Sequence, residues 1–276
     1  MTKVAIIGLG SIGAGVAEAL GRDKRFSLAG YDLRPEAFER VAGVMRAEAS
    51  PAAASDSAEV VFVAVVNDAQ VRTVLSGEDG VLSAGTPPKV IALLSTITIP
   101  TVYWAAEEAA RRGVMLIDCG VSGPRGLAEN AMVTMIGGDE TAYAIARPVI
   151  EAFSKPAVYC GQLGNGMRTK LACNLVFFTG WMSAWEGARL ALAAGVPLEN
   201  FVEAVTAGEK WVHPRMGLVA AGVGLPPGAP ATSRPGTAAF AQKDLGAALA
   251  LGEELGLDLA AAKVALAAFP GVAGVE

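Results

Sequence analysis

Lys3-Val4-Ala5-Ile6-Ile7-Gly8-Leu9-Gly10-Ser11-Ile12-Gly13 decides the fold. A buried strand runs straight into G-x-G-x-x-G, and Val16, Ala17, Ala19 and Leu20 follow at helical spacing. The first glycine permits a tight turn, the second lets a pyrophosphate approach the backbone, and the third lets helix and strand pack closely. The start of the helix offers free N–H groups and partial positive charge to phosphates. A second apolar stretch, Phe26-Ser27-Leu28-Ala29-Gly30-Tyr31, ends in Asp32, where a carboxylate for the adenosine ribose hydroxyls belongs. Gly8 to Gly13, with Asp32, Leu33 and Arg34, therefore read as a dinucleotide site. A glycine-rich turn without a ligand would not explain Asp32.

Composition bounds the rest. With 276 residues the chain is long enough for two domains. It is 53% hydrophobic and 18% charged, with 33 Gly, as suits a parallel sheet buried on both faces or an extensive oligomer interface. No apolar run reaches the ~18 residues that suggest a membrane span. The net charge of −5 and the lack of a basic patch argue against nucleic acid. Cys119, Cys160 and Cys173 lack paired spacing and read as reduced thiols, so a cytoplasmic protein is expected. Met1-Thr2-Lys3 leads directly into a strand, and no signal peptide is expected. One His and no Cys/His cluster make a zinc site improbable.

Apolar runs predict strands over 4–7, 28–31, 60–66, 90–94, 114–118, 132–136 and 157–160. Helices are expected between most of them, over 12–20, 35–41, 69–75, 101–111 and 140–152. This alternation predicts an α/β Rossmann fold, a doubly wound parallel sheet, with 132–136 as a possible antiparallel addition. Residues 1–162 form the expected NAD(P)-binding domain. An all-helical domain is expected over 163–276, joined by a long helix at about 166–194. That helix carries Leu171, Leu175, Phe178, Met182, Trp185 and Leu192 at helical spacing and ends near Gly195 and Pro197. Further helices are expected at 199–207, 238–255 and 259–268, with a Gly/Pro-rich loop over 222–236, either a lid or a linker.

Four more segments carry chemistry. Val65-Val66-Asn67-Asp68 and Leu94-Ser95-Thr96-Ile97-Thr98 stand at strand ends, where ligands bind in such folds. Their polar groups either reach the cofactor or cap helices, Asn67 and Ser95 or Thr98 being the cap candidates. Asp118-Cys119-Gly120-Val121-Ser122-Gly123-Pro124-Arg125 is the third segment, and Gly164-Asn165-Gly166-Met167-Arg168-Thr169-Lys170 the fourth. Lys170 and Asn174 share a helix face and together can polarise a substrate oxygen. Lys170 alone would read as a surface lysine.

These motifs, in this order, resemble the β-hydroxyacid dehydrogenase family, which includes 3-hydroxyisobutyrate dehydrogenases and tartronate semialdehyde reductases. The likeness covers nearly the whole chain and extends more distantly to 6-phosphogluconate dehydrogenases. The third segment is similar to the family's D-A-P-V-S-G-G and the fourth to its G-x-G-x-x-x-K; Lys243-Asp244-Leu245 is similar to a late K-D-L element. The resemblance implies Lys170 as the catalytic residue, Asn174 as its partner in positioning substrate, and Ser122 and Gly123 as holders of a substrate carboxylate. It places Thr96 and Lys243 against the cofactor, gives substrate binding and dimerisation to the helical domain, and implies a homodimer or homotetramer. Departures cluster around the substrate: Pro124 replaces a glycine, Arg125 follows it, Cys173 replaces an asparagine, Gly236 stands where Phe is common, and Phe240 takes a Leu position.

The implied reaction is reversible hydride transfer between a nicotinamide and a small 3-hydroxy acid or related semialdehyde, making the protein a dehydrogenase or reductase acting on CH–OH groups. Asp32 favours NAD(H), with NADP(H) possible through Arg34. Arg125 either binds a second anionic group of the substrate or is a solvated loop residue. Trp211 and His213 are pocket wall or core. Two rival functions stand beside this one: an imine reductase of the same fold, in which Asp or Tyr commonly replaces the lysine, and a non-catalytic dinucleotide-binding scaffold.

Overall fold

The computed structural model describes residues 1–122, 132–209 and 255–272, with 239, 241–243, 245–246, 249 and 252–253 between them. The chain divides into two compact units, Met1–Asn174 and Leu175–Glu276.

The first unit is built on one eight-stranded sheet, ordered β3-β2-β1-β4-β5-β6-β7-β8. Its strands are β1 (Thr2–Ile7), β2 (Phe26–Tyr31), β3 (Arg46–Ala47), β4 (Val60–Val63), β5 (Val90–Leu93), β6 (Met115–Ser122), β7 (Met132–Gly138) and β8 (Ser154–Tyr159). β1 to β6 are mutually parallel; β7 runs antiparallel to β6 and parallel to β8. Helices α1 (Ser11–Gly21), α2 (Pro51–Ser55), α3 (Asp68–Ser76), α4 (Ile99–Ala110) and α5 (Glu140–Ile150) cover the faces. Residues Pro35–Val41, expected as an α-helix, form a 3-10 helix.

Strand alternation divides the core in two. Val4, Ile6, Val60, Phe62, Ile117, Cys119 and Val121 pack on one face with α1 and α5. Ala5, Ile7, Val61, Val63, Ile91, Leu93 and Leu116 pack on the other with α3 and α4. The central strands are fully buried, which explains the unbroken Val/Ile/Leu runs.

The long helix, α6 (Asn165–Ala193), continues from the first unit into the second. The sequence reading makes this helix the connector between the domains; the first compact unit takes in its first turns, to Asn174, which lie directly on the sheet. Gly166 makes this possible: a β-carbon there would stand 2.4 Å from the Asp118 carbonyl oxygen and 2.5 Å from that of Met135. α6 ends as anticipated, with Gly195 at φ 81° and Val196 N–H bonded to Ala191 O at 2.9 Å.

In the second unit the described elements are helices, α7 (Leu198–Glu209) and α8 (Ala260–Val272), and the described residues between 239 and 253 are helical. Glu186, 4% exposed, accepts the N–H groups of Ala261 and Ala262 at 2.8 and 3.2 Å and so caps α8 from α6. No described helix is long and apolar enough to cross a membrane.

Candidate active site

The β1–α1 turn obeys the glycine logic closely. Gly8 has φ +93°, and a β-carbon on it would stand 2.6 Å from Ala64 O. On Gly13 a β-carbon would stand 1.9 Å from Gly8 O. Gly10, the N-cap of α1, has open space where its β-carbon would be. No side chain caps α1 and no acidic residue stands in its first turn, so its N–H groups remain available to an anion.

Asp32 is fixed next to this turn. Its Oδ2 accepts the Leu9 N–H at 2.7 Å, and its Oδ1 accepts the Arg34 N–H at 2.9 Å. The Arg34 guanidinium adds bonds of 3.1 and 3.3 Å. Burial pushes the Asp32 carboxyl up, but the bonds from Arg34 and from the Leu9 and Arg34 N–H groups outweigh it and hold the pKa below the usual carboxylate value. A cleft of about 610 Å³ opens here, lined by Gly8, Gly10, Asp32, Leu33, Arg34, Val65 and Val66. Ile7, Tyr31, Ala64, Gln70, Thr73 and Val74 complete it. The α3 residues among these were missed by the sequence reading; the signal was the helix face at i, i+3 and i+4 after β4. Val66 is 80% exposed, apolar and aimed at solvent, as a binding wall rather than a core residue would be.

The remaining candidates sort by contact. Leu9 is buried, Ser11 is exposed, and Ile12 packs on the core. Asn67 caps α3, its Oδ1 accepting the Gln70 N–H at 2.9 Å. Ser95 is buried and caps no helix: its hydroxyl accepts the Val65 N–H at 2.9 Å. The Thr98 hydroxyl donates to Asp68 at 2.6 Å, tying the β4 and β5 loops together. The Thr101 and Thr98 hydroxyls hold the Asp68 carboxyl below its usual range. Thr96 is exposed at the end of β5. Lys243 is an exposed helical residue of the second unit. Gly123, Pro124, Arg125, Trp211, His213, the 222–236 loop, Phe240 and Asp244 lie outside the described residues.

Lys170 sits where α6 crosses β6. Its Nζ is 3.2 Å from the Ser122 hydroxyl, and it is half-buried. Burial lowers its pKa from the ordinary 10.5, partly opposed by Cys173. Asn174 stands one turn on and half-buried; the Cys173 sulfur contacts the Met135 sulfur at 3.8 Å. The strand expected to stop at residue 118 continues to Ser122, and this brings the hydroxyl to the amine. Ser122 lies at the carboxyl end of β6, on the same sheet edge as the β1, β4 and β5 loops, because these strands are parallel. Among the described residues no cluster could hold a metal ion.

The glycine turn, its open Gly10 and the fixed carboxylate together fit a dinucleotide. Comparison with known proteins agrees. Residues 3–164 match the profile of the NAD binding domain of 6-phosphogluconate dehydrogenase. The chain is 32% identical over 217 residues to an L-threonate dehydrogenase of Cupriavidus necator, covering 76% of this chain and 72% of that one. It superposes, with a TM-score of 0.88 and 30% identity, on the crystal structure of a protein described as an oxidoreductase from Mycobacterium avium 104, covering 100% of this chain and 99% of that one. An imine reductase of Streptomyces aurantiacus shares the fold at 22% identity and a TM-score of 0.76, over 97% and 93% of the two chains. The chain is an oxidoreductase that belongs to the β-hydroxyacid dehydrogenase family, with an NAD-binding domain of the 6-phosphogluconate dehydrogenase type.

Proposed function

We propose that the protein catalyses reversible hydride transfer between NAD(H) and a small 3-hydroxy acid or related semialdehyde, with Lys170 as the general acid and base. The observation that carries this reading is the half-buried amine of Lys170 at the Ser122 hydroxyl, on the sheet edge that holds the glycine turn and Asp32. When bound, the nicotinamide accepts or donates the hydride. Gly8 to Gly13 would hold the pyrophosphate, Asp32 the adenosine ribose, and Val65, Val66 and Thr96 would border the cofactor, with Lys243 as a further contact.

Oxidation of a carbinol requires the hydroxyl proton to leave as the C–H bond breaks. Lys170 Nζ takes that proton, and returns it when a carbonyl is reduced. An ordinary lysine is a poor base at neutral pH; the burial of Lys170 disfavours its ammonium form and brings it closer to the task. Asn174 adds a neutral donor to the substrate oxygen, and Ser122 holds the substrate carboxylate with Gly123. Gly123, Pro124, Arg125 and Trp211 are the proposed remaining substrate contacts, Arg125 for a second anionic group.

Asp32 supports NAD over NADP, since a fixed carboxylate accepts the ribose diol and repels a 2′-phosphate. Arg34 lies across the same carboxylate and is exposed enough to leave it, so NADP is the second cofactor rather than an excluded one. The exposed Met182, Trp185 and Leu192 of α6 support a homodimer or larger assembly.

The test is a panel of short 3-hydroxy acids, ω-hydroxy acids and their sulfonated and phosphorylated analogues, with a cyclic imine as the competing arm, assayed with NAD and NADP. Turnover of a hydroxy acid that falls at least about a hundredfold in Lys170→Ala fits the reading. Turnover of the imine alone selects an imine reductase, and NADH binding without any turnover selects a scaffold.

A further inference from the structure

Asp118, Gly120 and Ser122 alternate along β6 and therefore share one face of the strand, the face on which α6 begins. Each meets the helix differently. The buried Asp118 carboxylate accepts the Gly164 N–H through Oδ1 and the Met167 N–H through Oδ2, both at 2.6 Å. Gly164 immediately precedes α6, and Met167 is its third residue. These are the two N–H groups that a capping box satisfies from within the helix. Neither Gly164 nor Met167 has a side chain able to do so, and one carboxylate of the sheet serves both.

Two residues along, a β-carbon on Gly120 would stand 2.4 Å from Lys170 Cβ and 2.7 Å from Gly166 O. One on Gly137, across the ladder on β7, would stand 2.5 Å from Asp118 Oδ1 and 2.7 Å from Gly166 N. Helix backbone thus rests on strand backbone with nothing between. At the third position the Lys170 amine reaches Ser122.

A buried carboxylate costs several kcal/mol unless charge-assisted bonds offset it. A capping serine or aspartate at position 164 would be strained instead, since Gly164 has φ +87°. What a local cap cannot do is tie the helix to the strand. We propose that β6 places the amine of Lys170 by gripping α6 at these points, so that Asp118 and Gly120 are positioning residues of the proton-transfer site. This rests on the reading of Lys170 given above.

The experiment compares Gly120→Ala, Asp118→Asn and Lys170→Ala with the wild type in three measurements. NADH titration reports the dinucleotide site. Steady-state kinetics use 3-hydroxyisobutyrate and L-threonate as probes. NMR of ¹³C-methylated lysines across pH reads Lys170, identified by the signal missing from Lys170→Ala. A misplacement of about 1 Å should lower kcat roughly ten- to a hundredfold in Gly120→Ala and Asp118→Asn, with NADH affinity unchanged. In Gly120→Ala the Lys170 signal should titrate nearer to an ordinary lysine. Wild-type kcat and wild-type Lys170 titration in Gly120→Ala would overturn the proposal. So would loss of NADH binding in both positioning variants, which would make these residues general determinants of folding. If neither acid is turned over by the wild type, the Lys170 titration decides alone. Near-wild-type turnover in Lys170→Ala defeats the reading of the lysine itself; an inactive Lys170→Ala beside fully active Gly120→Ala and Asp118→Asn defeats only the positioning.

Discussion

Gly10→Ala and Gly13→Ala separate folding from binding within one turn. At Gly13 the substitution gains about 1 kcal/mol of helix propensity. Against that, the new β-carbon would stand 1.9 Å from Gly8 O, a backbone atom that no rotamer change can move. Gly8 is anchored in turn, its N–H bonded to Tyr31 O at 2.8 Å at the end of β1. Helix α1 must therefore shift by roughly 1 Å, disturbing the buried Val16, Ala17 and Leu20, at an overpacking cost of about 1–3 kcal/mol. The clash wins over propensity, and the unfolding midpoint of the first unit should fall by roughly 2–4 °C per kcal/mol lost. At Gly10 nothing lies within 4 Å of the added carbon and φ is −67°, so the folded protein accepts alanine at a capping cost of less than about 1 kcal/mol. That carbon occupies the approach of a pyrophosphate, and NADH affinity should fall at least about tenfold, as loss of ~1.4 kcal/mol implies. Differential scanning calorimetry and fluorescence titration of both variants make the check. A Gly13→Ala protein as stable as wild type, or a Gly10→Ala protein that binds NADH normally, would refute the steric reasoning.

Asp32→Asn removes the carboxylate charge and weakens its hold on Leu9 N–H and Arg34; kcat/KM with NAD should fall while that with NADP rises, read as the ratio of the two. Because the Lys170 pKa is depressed, its ammonium is the form the folded protein disfavours. Between that depressed value and the ordinary 10.5, the unfolded chain binds more protons and stability rises with pH. For activity, oxidative kcat/KM should climb with pH to a plateau reached below 10.5, a limb that Lys170→Arg abolishes. Glu186→Ala leaves the Ala261 and Ala262 N–H groups without their buried acceptor and should cost the second unit about 1–3 kcal/mol, seen as earlier thermal unfolding with NADH binding intact.

The strands were legible wherever burial on both faces made their apolar runs continuous, as in Val60–Val63 and Val90–Leu93. Their ends were not. The run over 60–66 stops at Val63, because Ser95 and Gln70 take the Val65 and Val66 N–H groups out of the ladder. β6 runs past Asp118, since Gly120 conceals a strand whose pairing comes from β7. The glycine turn and Asp32 could be found because their geometry is encoded within a short stretch. The role of Asp118 could not, since its partners lie 46 and 49 residues away and pair with it only in the folded sheet. Leu171, Met182, Trp185 and Leu192 do recur at helical spacing, yet they are exposed, so periodicity located the helix without saying what covers its apolar side chains.

The reach of β6 follows from its change of partner. Ile7, Val63, Leu93 and Asp118 lie level across the parallel strands, and β1, β4 and β5 end there. β6 continues four residues to Ser122, about 13 Å further at ~3.3 Å per residue. Beyond Asp118 it has no ladder partner on the β5 side, and an unsupported extension would leave N–H and C=O groups unpaired. β7 pairs the opposite edge of the extension by running back along it, from Cys119 opposite Ile136 to Ser122 opposite Val133, so that one edge alone lacks a ladder partner. The antiparallel strand thus holds an overhang that the parallel topology alone would not sustain, and Lys170 meets β6 along that overhang, at Gly120 and Ser122. The early ends of β1, β4 and β5 leave the dinucleotide cleft open at the level where they stop. On the function proposed above, dinucleotide binding and proton transfer fall to different strands of one sheet, which is why Gly10→Ala and Gly120→Ala should fail in different assays.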